Sequence, residues 1–287
     1  MSIKGRTYAF DHVFGRDLSQ SDLYRETAAP MLRSFMEGYN CTIMVYGQTG
    51  SGKTFTMGTS NDRSPSNQGL IFRFINDLYA NLNSSIAEGR HISFQIKASY
   101  LEIYGEEVRD LVLDRSASES EKIPLVVRKE KSGRVFVQGQ QEVTVGSAES
   151  ALEVLSSGTR LRETKPTKMN SESSRSHAVF TLLLEQKIRG ADNIDDQMSS
   201  KMTFVDLAGS ERVKRTKATG QRFKEGIQTN KGLFHLGEVI NALAEGHKHI
   251  PYRCSEMMLV TCDCVHVVYR HHHHHHAMVG TRSSRIC

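Results

Sequence analysis

Residues 47–54 read Gly47-Gln48-Thr49-Gly50-Ser51-Gly52-Lys53-Thr54, which satisfies the P-loop pattern of glycines followed by Lys and a hydroxyl residue. The glycines let the backbone curl so that its N–H groups point inward at phosphate oxygens. A helix start follows and adds a favourable dipole. In this pattern Lys53 reaches the β- and γ-phosphates and Thr54 places its hydroxyl on Mg²⁺.

The flanks give the loop its context. Thr42 to Tyr46 is a short apolar run leading into the turn, so it reads as a buried strand. Upstream, Leu23, Ala28, Met31, Leu32 and Phe35 recur at helical spacing between Ser21 and Gly38, with Ser19 and Asp22 as a capping pair. Downstream, Leu70 to Leu82 is helical, and Ile92 to Ile103 alternates as a long strand. Val126 to Val145 holds short β-type runs broken by glycine, which predicts hairpins. A helix is expected over Ser147 to Ser156. Strands are expected over Ala178 to Gln186 and Met202 to Leu207, joined by a charged hairpin loop. Asn230 to Glu245 carries a helical apolar stripe. Strands alternating with helices predict an α/β, three-layer P-loop NTPase fold with a central, mostly parallel mixed sheet flanked by helices.

A phosphate loop alone hydrolyses nothing; phosphoryl transfer also needs a metal-orienting acid and groups that sense the γ-phosphate. The strand Met202–Val205 ends in Asp206, then Leu207-Ala208-Gly209. An acid at the carboxyl end of a buried strand suits a Mg²⁺ contact through water. Gly209 is placed to offer its N–H to the γ-phosphate. Taken alone, Asp206 would be an ordinary strand-end turn residue. Asn170-Ser171-Glu172-Ser173-Ser174-Arg175-Ser176-His177 precedes a strand and is dense in hydroxyls. By composition alone a solvated Ser-rich loop is the simpler reading of that segment.

Composition narrows the remaining classes. The 38% hydrophobic and 24% charged residues suit a globular chain with a core, and the net charge of +5 permits an acidic partner without identifying one. No apolar run is long enough to span a membrane, so no membrane partner is expected. Only Cys41 lies outside the last 34 residues, which excludes a disulfide framework. Cys262 and Cys264 are separated by one residue, too close for zinc-knuckle spacing.

The combination GQTGSGKT, NSESSRSH and DLAGSER, in that order, resembles the P-loop, switch I and switch II of kinesin motor domains. YAFDHVFG at 8–15, SYLEIYGEEVRDL at 99–111, NKGLFHLGEVINAL at 230–243 and HIPYR at 249–253 agree. LLLEQ at 182–186 and TKATGQRFKEG at 216–226 look most like the chromokinesin-type, fourth kinesin family. No Asn-Lys-x-Asp guanine-reading motif is present.

The resemblance implies ATP hydrolysis, with ATP and Mg²⁺, coupled to movement along microtubules. Thr54 and Ser174 would ligate Mg²⁺ directly and Asp206 through water. Asn170 and Ser173 would close over the γ-phosphate. Arg175 and Glu211 would form the ion pair that closes the site and positions water. Phe55 takes the place of an adenine-facing ring. Gly209 would relay the state of the site to the helix after residue 230, which in kinesins lies against tubulin. Two basic clusters, Lys214-Arg215-Lys217-Arg222-Lys224 and Arg128-Lys129-Lys131-Arg134, would face acidic tubulin. As plain charge runs they are solvated loops, and neither has the interleaved aromatics of a nucleic-acid surface. Homodimerisation through a coiled coil, and location on cytoplasmic microtubules or in the nucleus and spindle, are implied by the family alone.

The resemblance fades at both ends. Only MSIKGRT precedes YAFDHVFG, where kinesins have a first strand, and after Arg253 the sequence CSEMMLVTCDCVHVVYR leads into six histidines. Residues 1–253 are therefore expected to form a motor domain lacking its first strand and its C-terminal strand and helices. Residues 254–287 are expected to be an unstructured, non-family tail, with translated intron or a gene-model error as its origin. Missing strands would expose sheet edges and apolar faces. The alternative function on that expectation is a non-motile microtubule-binding or inactive fragment.

Overall fold

The computed structural model describes residues 2–3, 6–7, 10–15, 17–59, 64–89, 91–105, 107–112, 125–129, 135–163, 174–189, 195–211, 221–252, 257, 260, 266–271 and 276–280. The elements run β1 (Ser2–Ile3), β2 (Arg6–Thr7), β3 (His12–Phe14), α1 (Gln20–Met36), β4 (Cys41–Tyr46), α2 (Lys53–Met57), α3 (Leu70–Ala87), β5 (His91–Tyr104) and β6 (Glu107–Asp110). They continue with β7 (Val126–Lys129), β8 (Val135–Gln138), β9 (Val143–Val145), α4 (Ala148–Glu163), β10 (Ser176–Arg189), β11 (Asp195–Asp206), α5 (Gln221–Ala244), β12 (His266–His271) and β13 (His276–Gly280).

One nine-stranded sheet organises the chain, in the order β3-β13-β12-β4-β11-β10-β5-β6 with β9 also on β5. Side-chain alternation divides its two faces. Ile43 and Val45, Ala178 and Phe180, and Met202 and Phe204 join the core under α1, α3 and α4. Met44, Val179 and Val205 point the other way, to Leu236 and Val239 of α5. The result is the expected three-layer α/β arrangement. Aromatic packing pins the larger core: Phe74 of α3 lies 5.8 Å from Phe35 of α1 and 5.3 Å from Phe204 of β11, ring centre to ring centre. Each such ring, fully buried, contributes about 1.5–3 kcal/mol.

The α/β class holds, but the sheet is not mostly parallel. Only β4 with β11 and β4 with β12 pair in parallel; the other described pairings of this sheet are antiparallel. Three of these pairings, β5 with β6, β10 with β11 and β12 with β13, join successive strands whose short connections force opposite directions, and the rest pair strands distant in sequence. The β10–β11 ladder runs from Ala178↔Asp206 to Arg189↔Asp195. Both strands extend through charged residues that composition assigns to the loop.

Helix α1 begins where its cap predicts. Ser19 Oγ accepts from Asp22 N at 3.0 Å and donates to Asp22 Oδ2 at 2.7 Å. Helix α4 is longer than the expected Ser147 to Ser156, reaching Glu163, and α5 starts earlier than expected, at Gln221. β7 and β8 pair as a hairpin, whereas β9 leaves that hairpin and adds to β5.

The expectation of an unstructured tail is corrected over its described strands. β12 lies parallel to β4, in register from His266↔Ile43 to Tyr269↔Tyr46, and β13 joins β12 to β3. A central strand left at an edge presents a row of unpaired N–H and C=O groups, and pairing removes them. The Val267-Val268-Tyr269 run in β12 has the β-branched and aromatic composition that strands favour.

Candidate nucleotide site

The site forms where β4, β10 and β11 come together. β4 feeds the loop 47–52, and α2 begins at Lys53. Gly50 and Gly52 have φ of 76° and 90°, left-handed conformations that side chains disfavour, and they turn the chain back over itself. Inside this curl the Lys53 ammonium donates to Gly47 O at 2.9 Å and Gln48 O at 3.0 Å. Burial pushes its pKa down, partly offset by the carboxylates of Asp206 and Glu211. Phe55 is anchored through its backbone, its carbonyl accepting from Gln20 Nε2 of α1 at 2.7 Å.

Thr54 and Asp206, distant in sequence, meet: Thr54 Oγ1 donates to Asp206 Oδ2 at 3.0 Å. Asp206 is buried, and its other oxygen, Oδ1, has no hydrogen-bond partner. A buried carboxylate oxygen without a donor, beside a threonine hydroxyl, suits a hard divalent cation and its water. The residues present therefore fit Mg²⁺. Among the described residues no group of three His, Cys, Asp or Glu side chains is arranged to hold a metal, so an ion here would rely on hydroxyls and phosphate oxygens as well.

The loop after β11 is fastened residue by residue. Leu207 N donates to Val45 O at 3.3 Å, Ala208 N to His177 Nδ1 at 3.1 Å, Gly209 N to Ser174 O at 2.8 Å and Ser210 N to Gly47 O at 3.2 Å. Ser174 is thus brought to the site through its carbonyl. Glu211 then reaches the P-loop: Thr49 N donates to Oε2 at 2.9 Å and Thr49 Oγ1 to Oε1 at 2.5 Å. Burial opposes ionisation of Glu211, but the two bonds from Thr49 outweigh it and hold the carboxyl below its usual range. The motif pairs Glu211 with Arg175; here both of its oxygens face Thr49. A Cβ at Gly209 would meet Glu211 Oε2 and Thr49 Oγ1, so any larger residue there would displace one of those side chains or the loop.

Helix α5 touches both loops. Thr229 Oγ1 donates to Arg175 O at 3.3 Å and Asn230 Nδ2 to Glu211 O at 3.4 Å. Asn170 and Ser173 lie outside the described residues, as do Lys131, Arg134, Lys214, Arg215 and Lys217.

Sequence reading misses Arg162. It is buried near the end of α4, where NH1 donates to Asp206 Oδ2 at 3.3 Å and NH2 to Ser176 O at 3.0 Å. Its Nε lies 3.8 Å from Glu102 of β5, which is wholly buried. Burial opposes the charge, but Asp206, Tyr100 and Glu102 together raise its pKa. In the sequence Arg162 stands among Arg160, Glu163 and Lys165 and looks like one more solvated charge. His177 likewise reads only as the end of a Ser-rich segment.

A glycine-curled loop between a central strand and a helix, a hydroxyl and a carboxylate meeting beneath it, and a following loop bonded to its rim define a P-loop nucleoside-triphosphatase core. The kinesin motor-domain model matches residues 2–265, and the chain belongs to that family. The match runs past Arg253, where composition sets the boundary. The chain is 41% identical over 263 residues to kinesin-like protein KIF27 of Mus musculus, covering 87% of this chain and 18% of that protein. It is 40% identical over 286 residues to kinesin-like protein KIN-4A of Gossypium hirsutum, covering 90% of this chain and 27% of the relative. The chain therefore spans 18% to 27% of the length of these relatives. Among solved structures it resembles a fast kinesin with TM-score 0.76 and 38% identity, covering 88% of this chain and 68% of that one. It also resembles KIF14 bound to a microtubule with AMP-PNP, with TM-score 0.77 and 34% identity, covering 88% and 71%.

Proposed function

We propose that this chain hydrolyses ATP and couples the reaction to movement along microtubules. The observation that carries this reading is the bonding of the 207–211 loop to the P-loop on one side and to Ser174 and His177 on the other. A loop so placed meets any triphosphate held by Gly47–Thr54 and reports whether the γ-phosphate is present.

In this reading Gly47, Gln48, Thr49, Gly50, Ser51 and Gly52 cradle the phosphates, Lys53 neutralises them and Phe55 faces the base. The Thr54 and Ser174 hydroxyls, with Asp206 through water, would hold Mg²⁺, which would supply charge neutralisation at the phosphates. Asn170 and Ser173 close over the γ-phosphate. Gly209 exchanges its bond to Ser174 O for one to that phosphate. Glu211 leaves Thr49, pairs with Arg175 and positions the attacking water. Because α5 is bonded to Arg175 and Glu211, loop closure is transmitted to it, and α5 presents that change to tubulin.

We assign the chain to the fourth kinesin family, on TKATGQRFKEG at 216–226 and the likeness to KIN-4A. The same reading places it on cytoplasmic microtubules, with a role at the spindle or in the nucleus, and makes the full-length protein a homodimer. The test is ATP turnover of the chain with and without assembled microtubules. Stimulation of at least about tenfold, weakening as salt screens the contact, is expected. Turnover indifferent to microtubules would rule out the motor reading, and no turnover at all would rule out the ATPase.

A further inference from the structure

Four successive amides fix the loop that follows β11, and their acceptors differ in kind. Leu207, Gly209 and Ser210 donate to main-chain carbonyls of Val45, Ser174 and Gly47. Such bonds are open to almost any side chains at those positions. Ala208 alone of the four donates to a side chain, the imidazole of His177 at 3.1 Å.

His177 is 4% exposed and sits at the start of β10. Strand alternation points it to the same side as Val179, the side on which Leu236 and Val239 of α5 pack. Its other nitrogen, Nε2, faces α5: a Cβ built on Gly232 would lie 3.8 Å from it. With Nδ1 accepting from Ala208, the neutral ring carries its proton on Nε2. Burial, then the Arg162 and Lys53 charges, hold its pKa down at about 3, so the ring stays neutral. One imidazole thus bridges the strand that follows Ser174 and Arg175, the loop that carries Gly209 and Glu211, and the helix that contacts both loops.

We propose that His177 is a positioning residue that sets the 207–211 loop against α5 through the bond Nδ1 accepts from Ala208. This deepens the proposed motor reading and rests on it for its functional readout. When the loop moves to meet a γ-phosphate, the Ala208 bond keeps it in register with β10, so that the displacement reaches α5 instead of being lost in the loop.

Three variants separate this role from simple packing. Asn places an acceptor near the position of Nδ1, Gln places one near Nε2, and Ala removes both. His177→Asn should keep slow exchange of the Ala208 amide and microtubule-stimulated turnover within about twofold of the parent. His177→Gln and His177→Ala should speed that exchange and lower stimulated turnover by about tenfold, an amount in keeping with one lost buried hydrogen bond. Affinity for a fluorescent ATP analogue should change little. Equal behaviour of the Asn and Gln variants, or an Ala variant within about twofold of the parent, would overturn the proposal. If His177→Ala does not fold, the Asn–Gln comparison still decides. If the parent chain does not turn over ATP, the motor reading fails, and amide exchange across the same variants decides the role of His177 by itself.

Discussion

Thr49 holds Glu211 by both of its donors: its amide reaches Oε2 at 2.9 Å and its hydroxyl reaches Oε1 at 2.5 Å. The two residues are 162 positions apart, so the pair ties the rim of the P-loop to the end of the loop after β11. A carboxylate satisfied in this way is kept ionised and ready, but it is not yet free to hold water. On the proposed reading, Glu211 leaves Thr49 before it acts.

Glu211→Ala should therefore leave nucleotide affinity within a few-fold and cut turnover by at least about a hundredfold, the scale of a lost water-positioning or acid–base group. Steady-state hydrolysis and titration with a fluorescent nucleotide report the two effects separately. Near-normal turnover would remove Glu211 from the reaction.

Gly209→Ala tests the crowding beside that pair. The added methyl would meet the Glu211 carboxylate and the Thr49 hydroxyl, so one of the three must move. The expected result is ATP binding with stimulated turnover reduced by at least about tenfold, because making room for the methyl displaces Glu211 or the 207–211 loop from the arrangement that closure starts from. Turnover equal to the parent would mean that the loop has room the structure does not show.

Arg162→Met probes the buried charges. Removing the guanidinium takes from Asp206 and Glu102 a cation 3.3 Å and 3.8 Å away, while Arg109 stays 3.7 Å from Glu102. Breaking such a buried arrangement costs about 3–5 kcal/mol. Denaturant unfolding should show a loss on that scale, with Arg162→Lys intermediate, since an ammonium keeps the charge without the fork that also reaches Ser176 O. Unchanged stability would show that water takes over the charge.

His177 supplies a pH signature. Its folded pKa, about 3, lies below the ordinary histidine value of 6.5. The unfolded state then binds more protons than the folded state between those values, so stability falls as pH drops through 6.5 and is retained above it. The slope contributed by one such group approaches about 1.4 kcal/mol per pH unit. His177→Asn should flatten melting temperature against pH between about 6.5 and 5. A parallel fall in parent and variant would assign the acid loss to other groups.

The P-loop, the strand and helix around it, the cap on α1, the apolar stripe of α5 and the family can all be read from residues close together in the chain. Each is a local pattern: glycines at fixed spacing, a hydroxyl before an acid, hydrophobic residues at the period of a helix or strand. Thr54 and Asp206 were legible as site residues for the same reason, because a motif carried each of them. What tertiary structure decided was the pairing. Strand direction in the sheet depended on which chain ends met, so the sheet came out mainly antiparallel and the tail supplied β12 and β13. Arg162 looks like a surface charge until α4 lays it against Asp206, and His177 looks like the end of a serine run until β10 turns it toward Ala208 and α5. The resemblance implies a Glu211–Arg175 pair, and the fold holds both Glu211 oxygens on Thr49. A residue's type sets which bonds it can make; which partner lies within about 3 Å is settled only when distant segments pack, and no local pattern records that.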